Sequence, residues 1–246
     1  MTRPTLFISD LHLSPADPAT VAAFRAFLHT TASHAAALYI LGDLFEYWLG
    51  DDQLDDEFYG DLAHEIAALK QHDVAVYFMA GNRDFLPGSR FARQAKLQII
   101  NDPTLLTLNG LQLVLAHGDA YCTEDVGYQR WRKISRNRLF QWIWLNLPRR
   151  IRSKEADKIR ARSKTMNQHK PKAIMDVTEA AIAAEFAKYP SSVLIHGHTH
   201  KPFTHQYPYG QRWVLPDWHH GQGGYLQIIE QHMSLHQLDG SAWQTH

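Results

Sequence analysis

The chain has 246 residues, of which 45% are hydrophobic and 20% charged, with a formal net charge of zero. That length suits one large domain or a domain with a sizeable insertion, and the composition argues against global disorder. Cys122 is the only cysteine, so an intramolecular disulfide and a cysteine-based zinc site are both excluded and an oxidising compartment is not indicated. The N-terminal residues carry no signal-peptide pattern, and no stretch approaches the roughly 20 apolar residues that span a bilayer. The expected setting is therefore cytoplasmic.

In chain order, Thr5–Ser9 (TLFIS) reads as a buried strand that runs out into Asp10-Leu11-His12. Residues i and i+2 of a strand share a side, so Asp10 and His12 are expected to point together. Residues 18–34 repeat apolar positions near a 3.6 period (Val21, Phe24, Phe27, Leu28) and predict a helix. Residues 37–43 (ALYILGD) form a second apolar run ending in Gly-Asp. A second helix is expected over 57–71, with Phe58, Leu62, Ile66 and Leu69 on one face. Three more apolar runs end in polar residues: 73–84 (…AGNRD), 111–119 (…AHGD) and 192–200 (…IHGHTH). The tail, 203–239, alternates between Gly and Pro turns and predicts a β-meander. Strands alternating with helices point to an α/β fold with at least one mixed sheet, whose ligands gather beyond the strand ends.

Residues 122–172 break this pattern. They read as helical, basic and Trp-rich, and so as an insertion capping the site. Residues 129–172 hold 15 of the 25 Lys and Arg with only Glu155 and Asp157 as acids, whereas residues 1–128 hold 7 basic against 17 acidic residues. A basic segment of this kind suggests an anionic partner. Within it Phe140, Ile143, Trp144 and Leu147 form a helical apolar stripe, widened by Trp142 and followed by Arg149, Arg150 and Arg152. Two readings fit: a helix lying in a lipid interface, or one packed on its own domain. The acidic run DDQLDDE (51–57) reads as a solvated loop, and Asp119 as a turn residue.

Five strand ends thus deliver Asp, Asn or His, and buried groups of this kind need partners. Asp10, Asp43 and Asn82 offer oxygen. His12, His117, His198 and His200 offer nitrogen. The set exceeds what one ion needs and suggests two ions sharing a carboxylate; Mn²⁺ fits this mixture, as do Fe²⁺, Co²⁺ and Zn²⁺. His196, one strand step before His198, is left outside the set, and His219 and His220 lie in a loop with no assigned role.

The ordered set DLH, GDLFE, GNRDF, HGD and GHTH resembles the calcineurin-like metallophosphoesterase superfamily. GNRDF, GDLFEYWLGDD and the basic insert together resemble its UDP-2,3-diacylglucosamine pyrophosphatase family. The resemblance implies a four-layer α/β/β/α sandwich with a helical cap insertion and two Mn²⁺ ions. It implies one ion on Asp10, His12, Asp43 and His200, and a second on Asp43, Asn82, His117 and His198, with Asp43 bridging. Asp43, Asn82, Arg83 and His117 are the implied catalytic residues. Asn82, Arg83, Asp125, Ser163, Asn167, Lys170 and His198 are the implied substrate contacts. Ser163, Asn167 and Lys170 are spaced to share a helix face; by themselves they equally describe a solvated basic face. The implied reaction is attack on the α-phosphorus of the UDP-sugar lipid, giving UMP and 2,3-diacylglucosamine 1-phosphate in lipid A biosynthesis. It would be carried out peripherally at the cytoplasmic face of the inner membrane, with no nucleic acid and no obligate protein partner. Two other readings are a metallophosphoesterase whose basic insert grips nucleic acid, and a scaffold of the same fold without catalysis.

Overall fold

The computed structural model describes residues 2–168 and 172–243. Two sheets pack face to face. One has the order β11-β10-β1-β2-β3-β4 and the other β5-β6-β7-β9-β8, with β1 Thr5–Ile8, β2 Ala37–Leu41, β3 Ala75–Met79, β4 Gln98–Ile100, β5 Thr104–Leu108, β6 Leu111–Ala116, β7 Val193–His196, β8 Phe203–Tyr207, β9 Gly210–Val214, β10 Gly224–Ile229 and β11 His232–Gln237. Helices α1 (Pro18–Thr30), α2 (Glu57–Ala68) and α3 (Ser89–Gln94) cover the outer face of the first sheet, and α7 (Glu179–Lys188) covers the second.

The alternation of each central strand builds these layers. Leu6, Ile8, Leu38, Ile40, Val76 and Phe78 face the α1–α3 core. Their neighbours Phe7, Tyr39, Leu41 and Met79 meet Leu113, Leu115 and Ile195 between the sheets. Strands buried on both faces read as unbroken apolar runs, which is why β1, β2 and β3 were legible as strands. The result is the expected four-layer α/β/β/α arrangement. β1, β2 and β3 run parallel, as do β6, β7 and β9, so the loops that follow them leave along one edge. Two expectations change. The tail is not one meander: β8–β9 joins the second sheet and β10–β11 the first. The strand β1 also stops at Ile8, before Asp10.

The segment expected to be an insertion contains α4 (Val126–Ser135), α5 (Arg138–Leu145) and α6 (Arg149–Gln168). Asn137 caps α5, accepting from the amides of Leu139 and Phe140. The acidic run is not a solvated loop. It forms a 3₁₀ turn, Asp51–Asp55, that receives the insertion. Arg149 pairs with Asp56, and Arg152 pairs with Asp52 while donating to Leu49 O at 2.5 Å and Leu147 O at 3.0 Å. Arg152 is buried, and a guanidinium leaves water at tolerable cost only when its donors are met this fully. Asp51 turns the other way and accepts the amides of Gly88, Arg90 and Phe91.

The apolar stripe of α5 divides. Trp144 packs toward the α1–α3 core and stacks on Phe140. Leu139, Trp142 and Ile143 face outward at 64%, 64% and 50% exposure. Replacing Trp142 by Glu is therefore expected to change unfolding free energy by no more than about 0.5 kcal/mol, as for other surface changes. Trp144→Glu is expected to cost about 2–3 kcal/mol, combining lost aromatic packing with a half-buried carboxylate. Urea melts of the two variants check this; equal midpoints would contradict the division.

Candidate metal centre

The seven residues singled out as ligands leave the ends of β1, β2, β3, β6 and β7. They gather where the two sheets meet. Asp10 Oδ1 lies 3.5 Å from His200 Nε2. His12 Nδ1 lies 3.9 Å from Asp43 Oδ2, and Asp43 Oδ1 lies 3.8 Å from His117 Nε2. His117 Nε2 is 2.9 Å from Asn82 Oδ1, and the His117 and His198 rings are 5.1 Å apart. The ligand atoms of Asp10, His12 and His200 all lie within 4.8 Å of one another, as do those of Asp10, Asp43 and His117.

Asp10 and His12 converge for a different reason from the alternation expected. Both sit in the left-handed region, at φ 56° and 49°, as do Asp43 (52°), His198 (69°) and His200 (53°). Such backbone costs roughly 1–3 kcal/mol per residue and persists only where its surroundings enforce it. The enforcing contacts are visible. Asp10 N donates to Gly42 O and His12 N to Asp43 O, tying the first loop to the second. Asp10 Oδ2 accepts from His198 N at 2.8 Å, and Asp43 Oδ1 from Arg83 N at 2.8 Å. Gly81 and Gly197 permit the close approach: a Cβ at Gly81 would stand 2.1 Å from Asp43 Oδ1, and one at Gly197 would stand 2.2 Å from Asp10 Oδ2.

Electrostatics explains what this cluster wants. Asp10 and Asp43 are 1% and 2% exposed. Burial alone would raise the Asp10 pKa, but His200, 3.5 Å from Oδ1, and the neighbouring imidazoles hold it well below the usual range. Burial likewise pulls the two histidines down. Asp43 and Asp10 overcome this at His117, raising it to about 9; Asp10 and Asp217 do so at His200, raising it to about 10. The cluster therefore favours positive charge at its centre. His198 goes the other way, lowered first by burial and then by His117.

The residues present fit a cation. Asp10 Oδ1 and both ring nitrogens of His12 are buried with no hydrogen-bond partner, an arrangement costly for side chains that face nothing. The donors are oxygen and imidazole nitrogen with no thiolate nearby, since Cys122 bonds instead to the Met175 carbonyl. The outer partners are those of metal ligands. His117 Nδ1 is 2.9 Å from Leu41 O, which turns Nε2 toward Asn82 and Asp43. His200 Nδ1 is 3.2 Å from Asp217 Oδ2.

The other residues singled out in the sequence take partners of their own. Arg83 pairs with Glu46 at 2.6 Å, and Glu46 also lies 3.7 Å from His12 Nδ1. Asp84 accepts the amides of Asp43, Phe45 and Gly81 and so shapes the loops. Burial first, and then Asp43, pushes its pKa up to about 7. Asp125 caps α4, accepting from Tyr128 N. His196 is buried outside the centre, 3.3 Å from Arg212 Nη1. Lys170 and the side chains of Ser163 and Asn167 lie outside the described residues. Asp119 is more than a turn residue: it is buried and accepts from Tyr128 Oη and Arg132 Nε. Sequence reading missed Asp217, Glu46, Asp102 and Tyr128. Only Glu46, inside GDLFE, carried a local signal. The rest become relevant through folding alone.

Residues 3–202 match the calcineurin-like phosphoesterase family. The chain is 44% identical over 235 residues to a UDP-2,3-diacylglucosamine hydrolase of Photorhabdus laumondii, covering 94% of this chain and 97% of that one. It is 46% identical over 235 residues to a protein of the same description from Shewanella baltica, covering 95% and 97%. A third, from Ralstonia nicotianae, is 44% identical over 241 residues, covering 93% and 90%.

Gly197→Ala tests the packing argument. The methyl group meets Asp10 and Ser9, whose Oγ would be 2.2 Å away. The expected outcome is a loss of about 1–3 kcal/mol of stability, seen in a denaturant melt, together with weaker Mn²⁺ binding by calorimetry. Parental stability and binding would show that the loops do not depend on this contact.

Proposed function

The chain belongs to the calcineurin-like phosphoesterase family and, within it, to the UDP-2,3-diacylglucosamine hydrolases, and we propose that it cleaves the pyrophosphate of that lipid by attack at the α-phosphorus. Water adds to the α-phosphorus and the bond to the bridging oxygen breaks. The products are UMP and 2,3-diacylglucosamine 1-phosphate. The observation that carries this reading is the convergence of Asp10, His12, Asp43, Asn82, His117, His198 and His200 at one edge of the sandwich, with buried ligand atoms left unpartnered.

Two divalent ions suit this set, one on Asp10, His12, Asp43 and His200 and one on Asp43, Asn82, His117 and His198, and Mn²⁺ suits the mixture of oxygen and nitrogen. When bound, such a pair supplies Lewis-acid charge to the phosphoryl group and lowers the pKa of water. The chain does the rest by position. Leu41 O holds the His117 ring, and the Arg83 amide holds Asp43. Arg83 reaches the phosphates as a planar fork of donors. Its pairing with Glu46 is exposed, and exposed ion pairs contribute little, so exchanging Glu46 for phosphate is cheap. The leaving group is itself a phosphate, so the reaction makes little demand for a strong general acid. Asp125, Ser163, Asn167, Lys170 and His198 are assigned to the diphosphate and the sugar.

We assign the outward face of α5 to the membrane. Leu139, Trp142, Ile143 and Leu145 are exposed together, with Arg138 and Arg150 exposed beside them. That pattern suits a helix lying in a lipid interface with its cations at the headgroups. No helix among the described residues is long and apolar enough to cross a membrane. Nucleic acid is the weaker substrate, because Arg149 and Arg152 are already engaged by Asp56 and Asp52. A scaffold without catalysis has no reason to keep the strained ligand loops.

Purified protein with Mn²⁺ and UDP-2,3-diacylglucosamine is expected to release UMP, and Asp43→Ala is expected to lower turnover by several orders of magnitude while the protein stays folded by circular dichroism. Undiminished turnover would sink the metal assignment. Trp142→Glu should weaken co-sedimentation with anionic vesicles at every salt concentration, and added salt should weaken the parent, since headgroup attraction is screened beyond a Debye length of ~8 Å at physiological ionic strength. A variant that sediments like the parent would refute the membrane assignment.

A further inference from the structure

The two halves of the centre are held by different parts of the molecule. Around Asn82, His117 and His198 the support comes from helix α4 together with Arg136, the residue that caps its C-terminus. Arg136 Nη2 donates to Gly81 O at 2.8 Å and to Ala80 O at 3.3 Å, the carbonyls just ahead of Asn82, and its guanidinium lies over the Phe85 ring, 5.8 Å from the centroid. Arg132 bridges two buried acids, Nε to Asp119 Oδ2 at 2.9 Å and Nη2 to Asp102 Oδ2 at 2.8 Å. The other oxygen of Asp102 accepts from His117 N at 3.2 Å. Tyr128 donates to Asp119 and stacks on the His198 ring, with centroids 6.1 Å apart and planes at 26°. One helix of the insertion thus touches all three loops.

Around Asp10, His12 and His200 the support is different. His200 is held by Asp217, and the Asp10 carbonyl accepts from Trp218 N at 3.0 Å. Both partners belong to the loop between β9 and β10. The hydrogen bonds and ring contacts of α4 described above reach none of these three residues.

We propose that α4 is a positioning element for one half of the centre only: Arg132 and Arg136 set the geometry of Asn82, His117 and His198, so that placement of the insertion governs the affinity of one of the two metal ions and leaves the other unaffected. The physical reason is the length of each linkage. Arg136 fixes the carbonyl bonded to the Asn82 amide, and Arg132 reaches the His117 backbone through a single carboxylate. A shift of α4 moves ligand atoms directly, and outer partners of ligands typically govern affinity by about 10- to 100-fold. The Asp10 half meets α4 less directly: through Asp43, whose own amide and that of Phe45 are fixed on Asp84, and through the His198 amide that Asp10 Oδ2 accepts, whereas Tyr128 touches His198 at its ring. This inference rests on the dinuclear reading above.

The experiment is Mn²⁺ binding to the full chain by calorimetry, with no substrate present, accompanied by a thermal melt. The parent is expected to bind two ions. Arg136→Met should weaken one binding step by about 10-fold or more and leave the other within about twofold. Asp217→Asn should weaken the opposite step, so the double variant loses affinity at both. Arg136→Lys keeps the charge but not the fork; it serves as the fold-preserving variant if the Met change lowers the melt, and should show the same asymmetry at smaller size. Equal weakening of both steps by either Arg136 variant, parental affinities in both, or a double variant that keeps one parental step would overturn the proposal. A parent that binds fewer than two ions would instead overturn the dinuclear reading on which it rests.

Discussion

Two carboxylates, Asp10 and Asp43, sit almost without exposure at the seam of two sheets, and the surrounding structure is arranged around that charge. Burial opposes a carboxylate and a second one beside it opposes it further. The chain answers with donors, His198 N on Asp10 and Arg83 N on Asp43, and with nearby imidazoles, His200 beside Asp10 and His12 and His117 beside Asp43. It answers also by keeping the third carboxylate, Asp84, on backbone amides, where Asp43 and burial raise its pKa. What remains is a net pull for positive charge. Burial would lower His117 and His200, yet their carboxylate neighbours raise both, and divalent cations would answer the same pull.

Bringing those groups together demands backbone that is unfavourable in isolation. Five of the candidate ligands take left-handed conformations, and two glycines are needed for loops to pass within contact distance. Parallel strands make this feasible. They end along one edge, so a short loop after each delivers a side chain to a common point, and cross-loop hydrogen bonds hold each one there. Strain at a site of this kind is sustained by the large cores on both sides of the first sheet, to which it contributes nothing.

The insertion solves a second charge problem. Its cations appear in sequence as a surface for an external anion, yet Arg132, Arg149 and Arg152 are consumed by the protein's own acids. Two anchored ends leave α5 between them with an apolar face outward. The same segment can therefore couple to the centre through α4 and to lipid through α5, and these two contacts use different residues.

Much of this was written in local sequence. Unbroken apolar runs announced β1, β2, β3, β6 and β7, and each candidate ligand stands within a few residues of such a run, so the convergent set was legible from strand ends alone. The order of the motifs supplied the family. Tertiary structure decided what depends on partners distant in the chain. Sequence periodicity could not separate Trp142 from Trp144, because both lie within one helical stripe and only docking chooses which side is inward. It could not show that DDQLDDE receives Arg149 and Arg152 nearly a hundred residues later, since an acidic run looks the same whether water or a guanidinium neutralises it. It placed Asp10 and His12 together by strand alternation, whereas the strand ends at Ile8 and the two meet through left-handed turns held by the Gly42 and Asp43 carbonyls. Asp102 and Asp217 gave no signal at all. A carboxylate that orients a ligand is chosen by where the chain brings it, and that proximity exists only after the two sheets have closed.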